Sequence, residues 1–134
     1  MENTAETNRG VATFYAQTRQ EWRNWLAQNN QSAVAVCLIL YHKKSKTPSV
    51  SYVESVEEAL CFGWIDSLTN KRNAESFYQR FSPRKPKSNW SQANRERVAR
   101  LANEGLMTEH GQKTIDIAKA NGRWMPEAKP KNNQ

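Results

Sequence analysis

The run AVAVCLILY at residues 33–41 is the feature that most constrains this chain. Nine apolar residues, β-branched ones among them, stand between the polar clusters NNQS and HKKSK. Such a run is too short to span a membrane, and with no polar alternation both of its faces have to be covered. It predicts a central β-strand around which the other elements pack. No stretch approaches the ~18 consecutive apolar residues of a membrane helix, and Met1–Gly10 lacks the basic-then-apolar order of a signal peptide. A cytoplasmic protein without membrane insertion is expected.

Helices are marked by their caps. Thr18-Arg19-Gln20-Glu21 matches a capping box, in which hydroxyl and carboxylate each satisfy an orphaned backbone N–H, and Trp22, Trp25 and Leu26 then share one face. Ser51-Tyr52-Val53-Glu54 repeats the pattern, with an apolar stripe through Val53, Val56 and Leu60 that stops at Gly63. A third helix begins near Ser88 or Ser91, with Trp90, Asn94, Val98 and Leu101 along one face. Gly105 at its end makes Leu101 and Leu106 the apolar pair of a Schellman motif. Thr108 caps a fourth helix that stops at Gly122. Residues 64–69 and 76–82 read as two strands of a hairpin, in which Phe77, Gln79 and Phe81 face one way and Tyr78, Arg80 and Ser82 the other.

These elements predict an α+β fold: a small, mainly antiparallel three-stranded sheet of residues 33–41, 64–69 and 76–82. It is packed against about four helices near 19–29, 52–62, 90–104 and 109–121. With 134 residues there is room for one modest core, which five Trp, four Tyr and four Phe can fill despite a hydrophobic content of 37%. One domain is expected over 13–125, between a flexible N-terminus at 1–12 and a disordered tail at 126–134.

Charge is uneven. Residues 1–70 carry six Lys and Arg against seven Asp and Glu, whereas 71–100 carry nine cations against Glu75 and Glu96. The surplus centres on RFSPRKPKSNW, where Pro83 and Pro86 remove backbone donors and hold the segment extended. Arg80, Arg84, Lys85 and Lys87, continued by Arg95, Arg97 and Arg100, would form a cationic surface with Tyr78 and Trp90 beside it. That composition suits phosphate, acidic protein or single-stranded nucleic acid, but equally describes a solvated face. Ser88 and Asn94 could reach an anion at a helix start, or simply cap it. Asp66, sharing a face with Trp64, needs a partner if half buried; Arg80 or Arg84 could supply an ion pair, or Asp66 could be an acid or base orienting a ligand. Cys37 and Cys61 read as small buried hydrophobes, and His42 and His110 show no metal-ligand spacing. No cofactor and no metal are expected, and no P-loop, GxGxxG, GxSxG or HExxH string is present.

The strings EWRNWLAQN (21–29), EALCFGWIDS (58–67), QRFSPRKPKSNWSQANRERV (79–98), LANEGLMTEHG (101–111) and AKANGRW (118–124) closely resemble the YdeI/OmpD-associated, or bacteriocin-protection, family over about residues 14–124. The resemblance implies a link to protection against bacteriocins or antimicrobial peptides and to an outer-membrane porin, and brings no reaction or catalytic residue. The expectation is a non-enzymatic cytosolic protein of that kind, engaging an anionic ligand or acidic protein through the Pro-braced basic segment. Two alternatives stay open. One is an enzyme on a small anionic substrate, with Asp66 as acid or base and Arg80, Arg84 and Trp90 as the clamp; the other is a sequence-independent nucleic-acid binder.

Overall fold

The computed structural model describes residues 6–126, so the expected tail falls, from residue 127 onward, outside the described residues. Four helices and one mixed sheet make an α+β domain. The strands are β1 (Thr7–Asn8), β2 (Val11–Tyr15), β3 (Val36–Tyr41), β4 (Trp64–Lys71) and β5 (Ser76–Pro83), in the order β1-β2-β3-β5-β4. The helices are α1 (Arg19–Asn29), α2 (Tyr52–Cys61), α3 (Gln92–Asn103) and α4 (Glu109–Asn121).

The expected three-stranded, mainly antiparallel sheet is corrected to five strands with one parallel pair. β2 runs parallel to β3, placing Phe14 beside Leu38, with α1 as the crossover. Before it comes a hairpin whose central residues, Arg9 and Gly10, both have positive φ (53° and 80°), as a primed two-residue turn requires. The described part of the supposedly flexible N-terminus is thus built into the sheet, and Glu6 accepts hydrogen bonds from Arg72 Nε (2.7 Å) and Tyr78 Oη (2.5 Å). β3 starts at Val36, later than expected, because Ala33 N still donates to Asn29 O (2.9 Å) in the closing turn of α1 and leaves Val34 exposed. It lies mid-sheet, with Val36 through Leu40 all buried.

Aromatic rings lock the sheet to the helices. Trp22 and Phe81 have centroids 5.1 Å apart, and Trp25 meets Trp64 edge-on at 5.7 Å. Both fully buried indoles satisfy their N–H groups on backbone carbonyls, Trp22 on Ser55 (2.9 Å) and Trp64 on Asn30 (3.1 Å). The capping box forms in full at Ser51 and Glu54; at Thr18 the hydroxyl accepts from Glu21 N, while the Glu21 carboxylate takes Gln17 N instead.

The Schellman motif ends α3 as expected, with Leu106 N donating to Leu101 O and Gly105 N to Ala102 O, both 3.0 Å. Gly105 and Gly63 share φ of 77°, yet they differ in surroundings. Nothing would meet a Cβ at Gly105, whereas one at Gly63 would sit 2.8 Å from Thr114 Cγ2 and 2.9 Å from the His110 carbonyl, where α4 crosses the end of α2. Gly105→Ala should therefore cost about 1 kcal/mol, the left-handed penalty alone. Gly63→Ala should cost about 2–4 kcal/mol, because a packing clash with rigid backbone adds to it. Urea midpoints of the two variants measure the difference; equal losses would mean that the α2–α4 contact yields freely.

Candidate functional site

Pro83 ends β5, and the next residue turns inward. Arg84 N donates to Gly63 O (2.8 Å), anchoring the segment beside the α2 C-terminus. The Arg84 side chain is only 8% exposed, with its guanidinium 4.0 Å over the Trp90 ring. Its Nη1 donates to Ser88 Oγ (2.6 Å), and its Nε is buried without a partner among the described residues. Burial pushes its pKa down to about 10, opposed by the nearby Asp66 charge. Asn121 Nδ2 donates to Pro86 O (2.8 Å) and Trp90 N to Arg123 O (3.0 Å), so the basic loop is laced to the end of α4. Lys85 and Lys87 are left pointing into solvent.

Several expected ligand contacts are reassigned by this geometry. Trp90, 3% exposed and 5.0 Å from Trp124, is a core residue beneath the loop, and Trp64 is 1% exposed between α1 and the sheet; neither ring is open to a ligand. Ser88 holds Arg84, Ser91 caps α3 by accepting from Asn94 N (3.1 Å), and Asn94 Oδ1 accepts from Arg97 Nη1 (2.8 Å). Arg95 is spent on the carbonyls of Trp90 and Trp124. Tyr78 and Arg80 share the outer sheet face, opposite Ile39 and Cys37, as the alternation predicted. The cations are therefore not one surface. Lys71 pairs in register with Phe77 on the helix side and Arg80 lies on the other face, while Arg84, Lys85, Lys87, Arg95 and Arg97 group around the loop and α3.

Carboxylates cancel little of this charge. Among the described residues, only Arg72, on Glu6, and Arg100, on Glu57 and Glu104, of the nine cations in 71–100 form salt bridges; the other seven meet neutral partners or none. The acids are committed elsewhere. Glu57 and Glu58, buried in α2, are clamped by Arg19, Arg23 and Arg100 from the flanking helices. Nothing in the local sequence around Glu57 and Glu58 announces that network, because its arginines come from two other helices.

Asp66, on the helix-facing side beside Phe81, forms no arginine pair among the described residues; its Oδ2 accepts from Tyr52 Oη at 2.5 Å. Burial first, and then this carboxylate, push the Tyr52 phenol up to about 12. Because the folded pKa exceeds the ordinary value of 10.0, the phenol's contribution to stability is complete below pH 10 and is lost as pH rises through about 12. Asp66→Asn should bring the Tyr52 ionisation part of the way back toward the ordinary value, since burial remains. An ultraviolet titration differenced against Tyr52→Phe reads this directly; no movement would mean that Asp66 does not act on the phenol. Cys61 has its thiol pushed up to about 11 by burial, with Glu58 adding to it, which leaves it a poor nucleophile.

A further feature went unread. The 42–49 loop walls a cavity of about 690 Å³ with Tyr52 on its far side. The signal was the HKKSK string directly after the central strand.

A family model described as a domain of unknown function, DUF8412, matches residues 14–114. The chain belongs to that family. The match to the DUF8412 domain runs from β2 into α4, and so takes in the whole basic loop but not Trp124, the ring that covers Trp90. Neither a curated protein nor a solved structure matches the chain. No described helix is long and apolar enough to cross a membrane.

Proposed function

We propose that this is a non-catalytic binding protein of the cytoplasm that engages an anionic partner through the basic loop and the start of α3. The observation that carries the proposal is that the five cations grouped there, Arg84, Lys85, Lys87, Arg95 and Arg97, meet no carboxylate among the described residues. Their potential is thus left for an external charge. Arg84, buried against Trp90, keeps the loop ordered, so an incoming partner has little chain entropy to remove. Lys85 and Lys87 offer themselves as point charges to a phosphate or carboxylate. The resemblance to the bacteriocin-protection family supports a protective role for such binding, and the two buried free cysteines are consistent with a reducing compartment.

The enzymatic alternative has one favourable observation, an Asp66 that is half-buried and pairs with no arginine among the described residues. Against it, Arg80 lies on the opposite face of the sheet and Trp90 is buried, so the envisaged clamp does not converge on Asp66. Nucleic acid stays among the candidate partners, held by lysine charge and not by stacking on Trp90.

The proposal is tested by titrating the protein at about 0.05 M salt with a single-stranded oligonucleotide, a polyglutamate peptide and phosphatidylglycerol vesicles. At least one should bind, more weakly at about 0.2 M salt and more weakly to a Lys85→Ala/Lys87→Ala variant. Absence of binding in all three, or binding that the variant leaves unchanged, contradicts it.

A further inference from the structure

Three cavities meet at His42. One, of about 690 Å³, lies between the 42–49 loop, the end of β3 and the first turn of α2; another of about 690 Å³ reaches along β5 to Lys71; the third, of about 400 Å³, reaches Lys44 and Lys46. The two larger ones share an aromatic floor of His42 and Phe77. Phe77 lines both larger cavities, and its ring lies 5.2 Å from the His42 ring at 32°. The rim is cationic: Lys43, Lys44, Lys46 and Lys71 are all exposed, and none pairs with a carboxylate among the described residues. Glu75, the acid among the three linings, is engaged by Ser45 Oγ at 2.8 Å.

The loop is built and not merely a connection. Tyr41 N donates to Ser49 Oγ (3.1 Å), His42 N to Glu75 O (3.0 Å) and Thr47 N to Ser45 Oγ (3.1 Å), which fixes both ends of the lysine string relative to the floor. The volumes fall within the ~300–1,000 Å³ typical of small-molecule pockets. A polyanion would need no aromatic floor, and an apolar ligand no lysine rim. We propose that this groove is a second site, separate from the basic loop, which binds a small anion with a flat aromatic body: the ring lies against Phe77 and His42 and the charge is held by Lys43 and Lys71.

The chain has two histidines, His42 and His110, so their imidazole proton signals report the groove and a control position. Adenosine monophosphate and 2-naphthoate are titrated in parallel with adenosine and 2-naphthylmethanol, with His110→Asn to assign the two signals. At least one anion should move the His42 signal saturably and leave His110 in place, and which one does so separates a nucleotide from an aromatic carboxylate as the source. Lys43→Ala/Lys71→Ala should weaken that binding about tenfold, the effect of losing a charge-assisted contact. Lys85→Ala/Lys87→Ala should leave it unchanged, so this site can fail without the basic loop failing, and the reverse. A His42 signal indifferent to both anions, neutral analogues that bind as tightly, or no loss in the Lys43/Lys71 variant would overturn the proposal.

Discussion

Glu58→Ala is expected to destabilise the protein by about 3–5 kcal/mol, the usual effect of removing one partner from a buried ion pair. The Glu58 side chain is 2% exposed and takes Arg19 Nε on one oxygen and Arg23 Nη1, at 2.8 Å, on the other. Without it, Arg23, which also donates to Leu106 O (2.8 Å) and lies over the Phe62 ring, keeps its half-buried position and loses its counter-charge. After Arg19→Ala, Glu58 would keep Arg23 and Glu57 would keep Arg100, so that variant should cost distinctly less. A domain of this size has about 5–15 kcal/mol in total, so the Glu58 variant sits near the edge of folding at room temperature. Urea denaturation measures the effect. A loss below about 1 kcal/mol would mean that water already screens the network as it does a surface pair.

Trp90→Ala is the other large effect, at about 3–5 kcal/mol for a buried indole. The ring lies between Arg84 (4.0 Å) and Trp124 (5.0 Å), so truncation opens a cavity under the basic loop and strips the buried guanidinium of the aromatic face it lies over. Trp90→Phe keeps an aromatic face for Arg84 and should recover much of the loss. The pair of variants separates a structural ring from a ligand-stacking one. If Trp90→Ala folded with unchanged stability and lost only binding, the assignment of Trp90 to the core would be wrong.

Helix ends were the most readable part of this chain because their signals are local. Thr18, Ser51 and Thr108 cap the helices they were expected to cap, and of the two serines open for α3 it is Ser91 that caps it, all through bonds to backbone three residues away. The parallel strand was not readable. VATFY is too short to carry a period, and its partner, Cys37 to Ile39, lies beyond an entire helix. In β4 the register shift between Asp66 and Thr69 breaks the alternation that would set Leu68 on the face of Trp64 and Asp66, and Leu68 is 56% exposed. The candidate site was legible in composition and not in direction. Lys and Arg content says how much charge there is, but whether Arg84 turns in toward Trp90 or out toward solvent depends on contacts with Gly63 and α4 that lie far away in sequence.

The central claim is that the positive potential of the loop and the start of α3 is left uncancelled, and the most direct measurement needs no ligand. Soluble nitroxides of opposite charge sample the surface potential, and their relaxation of amide protons compares one site with another. The account predicts that the anionic nitroxide relaxes the amides of Lys85, Lys87 and Arg97 more strongly than the cationic one does, with the excess falling away around Glu104. Equal relaxation by the two probes at those amides would contradict it.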